Sequence, residues 1–90
     1  MTVSRRLQIV NIKGLHARAS AKLAEVVEDF DATATVSKDG MSASGDSIMG
    51  LLMLAASKGS FIEVQTDGPA ELELADAIEA LVAEMFGEGN

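Results

Sequence analysis

The chain has 90 residues, of which 48% are apolar, and its formal net charge is −7. This length supports one small hydrophobic core, so we expect a single domain over residues 1–90. The negative net charge argues against nucleic-acid binding, because like charge repels the phosphate backbone. There is no cysteine and only one histidine, His16, which excludes disulfides and thiolate or multi-histidine metal sites. We therefore expect no metal and no cofactor.

The amino-terminal residues lack the unbroken apolar segment of a signal peptide. The longest apolar run, residues 48–56, is interrupted by Gly50 and is too short to span a bilayer. These features predict a cytoplasmic protein with no membrane insertion. We also expect a monomer.

Basic residues are concentrated near the start of the chain. Five of the seven precede the first carboxylate, Glu25: Arg5, Arg6, Lys13, Arg18 and Lys22. After Lys58 the charged residues are all acidic, and we interpret this last segment as a solvated acidic helix face. His16 therefore lies in a locally positive segment of an acidic protein, a setting that suits an anionic group.

In chain order, alternating apolar and polar residues first predict a strand over residues 3–12. Lys13 and Gly14 break this pattern. A helix is predicted from Ala17, directly after His16, because apolar residues then recur at helical spacing. The members of this apolar stripe are Ala19, Leu23, Val26, Val27 and Phe30.

A β-hairpin is predicted next. Residues 32–38 alternate and are rich in β-branched side chains, and the pair Asp39-Gly40 is a strong turn signal before a shorter strand at residues 41–44. Two strands therefore pair antiparallel here.

The second half of the chain predicts two helices and one strand. A short helix spans residues 48–55, capped by Asp46 or Ser47, and a strand spans residues 61–66. A long helix starts at residues 67–69, with Pro69 in its first turn, and ends at Gly87. Its apolar stripe is Leu74, Ala77, Ile78, Leu81, Val82 and Met85.

The predicted order is β-α-β-β-α-β-α, and the fold class is α+β. The hairpin requires antiparallel pairing, and the three helices each need an apolar surface to cover. A four-stranded antiparallel sheet with three helices on one face, an open-faced β-sandwich, meets both requirements.

His16 is the residue best suited to nucleophilic chemistry near neutral pH. A histidine before a helix lies beside backbone N–H groups that have no partner within the helix, and these groups favour an anion. Arg18 adds a guanidinium that can bind phosphate oxygens through paired hydrogen bonds. A single histidine at a helix start is often an ordinary surface residue, and this alternative stays open on the residues alone.

Two segments together resemble a known family. Gly14-Leu15-His16-Ala17-Arg18 is similar to the phosphorylation motif of HPr, the histidine-containing phosphocarrier of the bacterial phosphoenolpyruvate-dependent phosphotransferase system. The segment Gly45-Asp46-Ser47-Ile48-Met49-Gly50, about 31 residues further on, is similar to the family's second signature. The resemblance covers essentially the whole chain.

This resemblance implies a phosphoryl-transfer intermediate and not a stand-alone enzyme. His16 would accept a phosphoryl group from enzyme I and pass it to the A domain of an enzyme II, with Arg18 steadying the phosphate. Ser47 would be phosphorylated by HPr kinase/phosphorylase where that enzyme exists. The apolar residues Ile48, Met49 and Leu52 would join the His16 loop in one docking face, while Leu51, Leu54 and Ala55 would be core.

The chain departs from the family at two positions. Ala19 stands where the family usually has proline, which bears on transfer kinetics because proline pre-organises a first helical turn. Asp46 stands where many relatives have lysine, which bears on recognition of Ser47 by the kinase. The resemblance leaves open whether the phosphate serves sugar uptake or a nitrogen-linked regulatory branch.

Two other interpretations remain. A serine at a helix start in a small acidic chain is also typical of acyl carrier proteins, which carry phosphopantetheine there and form an all-helical bundle; the predicted hairpin opposes this. A regulatory module, whose phosphorylation state other proteins sense, is compatible with the same residues as an additional role.

Overall fold

The computed structural model describes residues 2–88. The elements are β1 (Thr2–Gln8), α1 (Ala17–Glu28), β2 (Thr33–Lys38), β3 (Met41–Ser44), α2 (Ile48–Met53), β4 (Phe61–Asp67) and α3 (Glu71–Ala83), with a single 3₁₀ turn (Met85–Gly87) after α3. No helix within residues 2–88 has the length and apolar character needed to cross a membrane.

The four strands form one antiparallel sheet in the order β1-β4-β2-β3. The β2–β3 hairpin turns at Asp39 and Gly40, which both have positive φ, 51° and 82°. Two positive φ values suit a tight turn whose twist matches the flanking strands. The last strand in sequence, β4, lies between β1 and β2 and so joins β1 to the β2–β3 hairpin.

One face of the sheet is covered by the helices, and the other is open. Along β4, exposed and buried residues alternate, and Ile62, Val64 and Thr66 point inward. Against them pack the apolar faces of α1 and α3, whose buried side chains include Leu23, Val27, Leu74, Ile78 and Val82. The predicted fold class and element order are confirmed.

The first strand is shorter than predicted, because β1 ends at Gln8 and not at residue 12. Ile9 still exchanges hydrogen bonds with the segment before β4, but the chain then turns, and the Gly14 N–H donates to the Asn11 carbonyl at 3.2 Å. Asn11 is fully buried in this turn. The alternating sequence pattern continues beyond Gln8, but the strand ends there because the chain turns and buries the polar side chain of Asn11.

The second helix is also shorter than predicted. It ends at Met53, with Leu54 as its C-cap, and Ala55 adopts a left-handed conformation with φ 52°. Ala55 is therefore exposed, and its prediction as a core residue is wrong. Ala56 is 3% exposed and occupies the core instead, because the left-handed residue redirects the chain by one position.

The third helix starts later and ends earlier than predicted. Asp67 completes β4, Gly68 turns the chain with φ 128°, and Pro69 lies before the helix, which begins at Glu71. A Cβ on Gly68 would lie 2.9 Å from the Cα of Ala32, so this close approach requires glycine. The helix ends at Ala83, and Gly87 instead belongs to the 3₁₀ turn.

Candidate functional site

The loop before α1 is held against the segment that follows α2. The Leu15 N–H donates to the Ala56 carbonyl at 2.8 Å, and Leu15 itself is 4% exposed. Gly14 has φ 64°, and a Cβ there would lie 2.4 Å from the Ala56 oxygen, which no side chain can tolerate. Gly14 is therefore required by this contact, which fixes where the loop leaves the interior.

His16 is the N-cap residue of α1. Its backbone carbonyl accepts a hydrogen bond from the Ser20 N–H at 2.8 Å, while its ring caps no backbone N–H. The first N–H groups of α1 therefore have no partner within the helix, and no acidic residue lies in the first turn. The ring is 27% exposed beside these donors. With Ala19 in the position usual for proline, the helix still begins at Ala17, and Ala19 is fully buried.

Arg18 is exposed and lies near a second cation. Together with Lys13, Gly87 and Glu88 it lines a cleft of about 310 Å³. Within residues 2–88, Arg18 makes no ion pair or side-chain hydrogen bond, so its guanidinium donors are available to a ligand. Two of the basic residues expected near His16 thus line one cleft together with Glu88, the residue that contacts the His16 ring.

Glu88 reaches the same site from the other end of the chain. One of its carboxylate oxygens contacts the Nε2 atom of His16, and the other accepts a hydrogen bond from the Asn11 Nδ2 at 2.9 Å. Its side chain is only 12% exposed, so the prediction that the final acidic residues are merely a solvated face is wrong here. No local sequence signal distinguishes Glu88 from the other carboxylates of this segment.

Glu88 is ionised at neutral pH. The hydrogen bond from Asn11 lowers its pKa most strongly, with further lowering by His16 and Lys13, and these effects outweigh the opposing effect of burial. A lowered pKa in the folded state stabilises the fold above the ordinary carboxyl range. This contribution is lost as the pH falls through the lowered value.

Ser47 caps α2 as predicted. Its hydroxyl oxygen accepts a hydrogen bond from the Gly50 N–H at 3.0 Å. Asp46, the alternative cap, instead accepts a hydrogen bond from the Ser44 hydroxyl at 2.6 Å. The hydroxyl of Ser47 is therefore placed at the start of a helix and is partly exposed.

The apolar residues of α2 divide between core and surface. Leu51 and Leu54 are buried, whereas Ile48 is 42% and Met49 71% exposed. Leu52 is half-buried, less open than predicted, and Met53, on the opposite side of this short helix from Leu51, is 71% exposed instead. Ile12 of the His16 loop is 61% exposed as well, and we call these accessible apolar residues the α2 surface (Ile12, Ile48, Met49, Leu52 and Met53).

Within residues 2–88, no group of three or more His, Asp or Glu side chains is arranged to hold a metal ion. The chemistry available here comes from an imidazole, two cations, a carboxylate and the first N–H groups of α1. Such a set can accept and stabilise a phosphoryl group.

Comparison with known proteins identifies the family. The sequence model described as "PTS HPr component phosphorylation site" matches residues 3–84. The chain belongs to this family. HPr proteins and the related NPr proteins are phosphocarriers of the phosphotransferase system, and this chain is a phosphocarrier component of that kind.

Curated relatives and solved structures cover nearly all of the chain. It is 47% identical to phosphocarrier protein HPr of Cupriavidus necator over 98% of this chain and 99% of that protein. It is 42% identical to phosphocarrier protein NPr of Escherichia coli, with the same coverage. The structure of HPr-C-His from Thermoanaerobacter tengcongensis superposes with a TM-score of 0.91 at 31% identity, covering 96% of this chain and 97% of that one.

The acyl carrier interpretation is wrong, because it required an all-helical bundle. The four-stranded sheet and the HPr-type superposition exclude it.

Proposed function

We propose that this chain accepts a phosphoryl group on His16 from phosphorylated enzyme I and passes it to the A domain of an enzyme II in the cytoplasm. The chain acts as a monomeric carrier and not as a stand-alone enzyme. The observation that carries the proposal is the setting of the His16 ring, which is partly exposed beside the unpartnered N–H groups of α1. The phosphoryl transfer on His16 is the same whether the carrier serves sugar uptake or a nitrogen-linked regulatory branch.

Arg18 and Lys13 support this role through charge. Both line the cleft beside the His16 loop, and a guanidinium can hold two phosphate oxygens at once. Phosphoryl transfer depends mainly on positioning and on compensation of charge on the phosphoryl oxygens. The partner proteins supply the donor and acceptor groups, so an open site at a helix start is sufficient.

The α2 surface is the proposed docking face for these partners. Its apolar side chains lie on α2 and on the His16 loop, and that loop is hydrogen-bonded to the segment following α2. Exposed methionines suit contact with several different partners because their side chains are flexible and polarisable. One carrier that meets a donor and then an acceptor needs such a surface.

The test of the proposal is incubation of the protein with enzyme I and labelled phosphoenolpyruvate. The chain is expected to take up a label that is lost in acid and stable in alkali, the behaviour of a phosphorylated imidazole. Addition of an enzyme II A domain is expected to remove the label from the chain. Failure to take up label where a known HPr protein does so would overturn the proposal.

We propose in addition that Ser47 is a regulatory phosphorylation site for HPr kinase/phosphorylase. A phosphate at the start of α2 is compatible with the charge of a helix N-terminus. It would add a strongly hydrated dianion beside Ile48 and Met49, and so oppose docking on the α2 surface.

Replacing Ser47 by alanine is expected to have two separate effects. The free energy of unfolding falls by about 1 kcal/mol, because the Gly50 N–H loses its partner. Acid-stable label from the kinase and ATP is abolished. The matched control is Ser42→Ala, an exposed serine of β3 outside any cap, for which both measurements are expected to match the parent protein. Acid-stable label persisting in the Ser47 variant would contradict the assignment.

A further inference from the structure

Two methionines are the most exposed residues of α2. Met49 and Met53 are each 71% exposed, and because they are four residues apart they are neighbours on one face of the helix. The opposite side of the helix faces the protein: Leu51 is fully buried, and a Cβ on Gly50 would lie 3.0 Å from the Cβ of Ala43 on β3. Neither methionine belongs to the hydrophobic core. Both side chains are therefore open to a reagent dissolved in the solvent.

The other methionines of the described chain are less open. Met41, on β3, is 48% exposed, and Met85, after α3, is half-buried. The chain has no cysteine, so no thiol competes for an oxidant, and the methionine thioethers are the side chains that react most readily. We therefore expect a mild oxidant to reach Met49 and Met53 before it reaches Met41 and Met85.

We propose that Met49 and Met53 are oxidation sites, and that their conversion to sulfoxides by hydrogen peroxide reversibly weakens docking of the carrier's partners. This inference rests on the proposed docking role of the α2 surface. In each reaction a lone pair of the thioether sulfur attacks one peroxide oxygen, so that an S–O bond forms and the O–O bond breaks. The departing hydroxide takes the proton of the transferred oxygen and leaves as water. The sulfur is oxidised by two electrons, and the peroxide is reduced.

A sulfoxide changes the α2 surface where it is most exposed. The thioether is apolar, whereas the S–O group is strongly polar and accepts hydrogen bonds from water. Burying this group against an apolar partner without a hydrogen-bond donor costs free energy, and the apolar contact that methionine makes is lost as well. Docking is therefore weakened, although the His16 imidazole itself is unchanged.

The fold tolerates the modification. Leu51 and Leu54 hold α2 against the core, and neither is altered by peroxide. The cap of α2 also stays in place, because the Gly50 N–H keeps its hydrogen bond to the Ser47 hydroxyl. Both sulfoxides remain at the surface, where methionine sulfoxide reductases, one for each epimer, can return them to thioethers with a thiol as the reductant. The change is therefore reversible.

The test begins with limited treatment of the protein by hydrogen peroxide, which catalase removes before any partner is added. Peptide mapping by mass spectrometry at successive times gives the oxidation rate of each methionine. We expect Met49 and Met53 to be oxidised before Met41 and Met85. At that stage, circular dichroism and urea unfolding are expected to match the untreated protein. Faster oxidation of Met41 or Met85, or loss of the fold, overturns the proposal.

The functional measurement is the initial rate of labelling by enzyme I and phosphoenolpyruvate, at carrier concentrations well below saturation. The oxidised parent is expected to be labelled about tenfold more slowly than the untreated parent, because docking loses the contacts of apolar side chains. Treatment with both reductases and a thiol is expected to restore the rate. An unchanged rate after oxidation, or a loss that the reductases do not reverse, contradicts the proposal.

The variants that decide which sulfurs matter are the double variant Met49→Leu/Met53→Leu and its matched control Met41→Leu. Leucine has nearly the volume of methionine and no sulfur to oxidise. Each protein's rate after peroxide is divided by its own rate before treatment, so that any effect of leucine on docking itself cancels. This ratio is expected to be close to one for the double variant and about one tenth for Met41→Leu.

A tenfold loss that persists in the double variant, or one that disappears in Met41→Leu, shows that other groups are responsible and overturns the proposal. Failure of the proposed function gives a different result. If the untreated parent takes no label, the carrier role fails, while peptide mapping still decides whether Met49 and Met53 are the preferred oxidation sites.

Discussion

Replacement of His16 by alanine is expected to abolish acid-labile label from enzyme I and phosphoenolpyruvate completely. The chain has no other histidine and no cysteine, and its lysine and arginine side chains are protonated and poorly nucleophilic near neutral pH. The fold should persist, because the ring caps no backbone N–H and the carbonyl that begins α1 belongs to the backbone. Label uptake, measured before and after acid treatment, reports the effect.

The control variant for this experiment is Ser47→Ala. This variant is expected to keep the acid-labile label, because its hydroxyl caps α2 and is not the proposed acceptor for enzyme I. Circular dichroism of both variants checks that the sheet and helices are retained. Acid-labile label on His16→Ala would place the accepting group elsewhere and contradict the proposed role of the ring.

Replacement of Phe86 by alanine is expected to lower the free energy of unfolding by about 3–5 kcal/mol. Phe86 is fully buried and packs in the common core, although it follows the end of α3. Its removal leaves a cavity and releases the support for a left-handed backbone conformation that is costly for a residue with a Cβ. Urea denaturation of parent and variant measures the loss.

Phe61→Ala is the matched control, since it removes the same side chain from an exposed position. Phe61 is 45% exposed on β4, where the Arg6 guanidinium lies 4.3 Å from the ring centre. Its loss is expected to cost below about 1 kcal/mol. Equal losses in the two variants would show that Phe86 does not anchor the end of the chain.

Elements with strong local signals were predictable. The Asp39-Gly40 pair defines the hairpin, because both residues occupy positive φ in the turn. Ser47 was predictable as a cap, since a hydroxyl before an apolar helical segment can accept a free backbone N–H. His16 was likewise predictable as the candidate nucleophile, because its motif consists of residues that are neighbours in sequence.

The ends of the helices were less predictable where the backbone conformation differs from the one that the local sequence favours. Pro69 suits a first helical turn, but Gly68 must pass close to Ala32, and the turn this requires delays α3 until Glu71. Ala55 fits an apolar pattern, but its left-handed conformation moves Ala56 into the core. In both cases the deciding contact is made with a distant part of the chain.

The side-chain set around His16 is the clearest case of this limit. Residue types and spacing were sufficient for the α+β class, the helix that begins after His16, and the cations near it, because these depend on short-range periodicity and composition. Only the folded chain brings Glu88 to His16, across 72 residues, and Asn11 to Glu88, across 77. That meeting depends on a left-handed turn held by the burial of Phe86, and the energy of that burial comes from the assembled core, not from any local pattern.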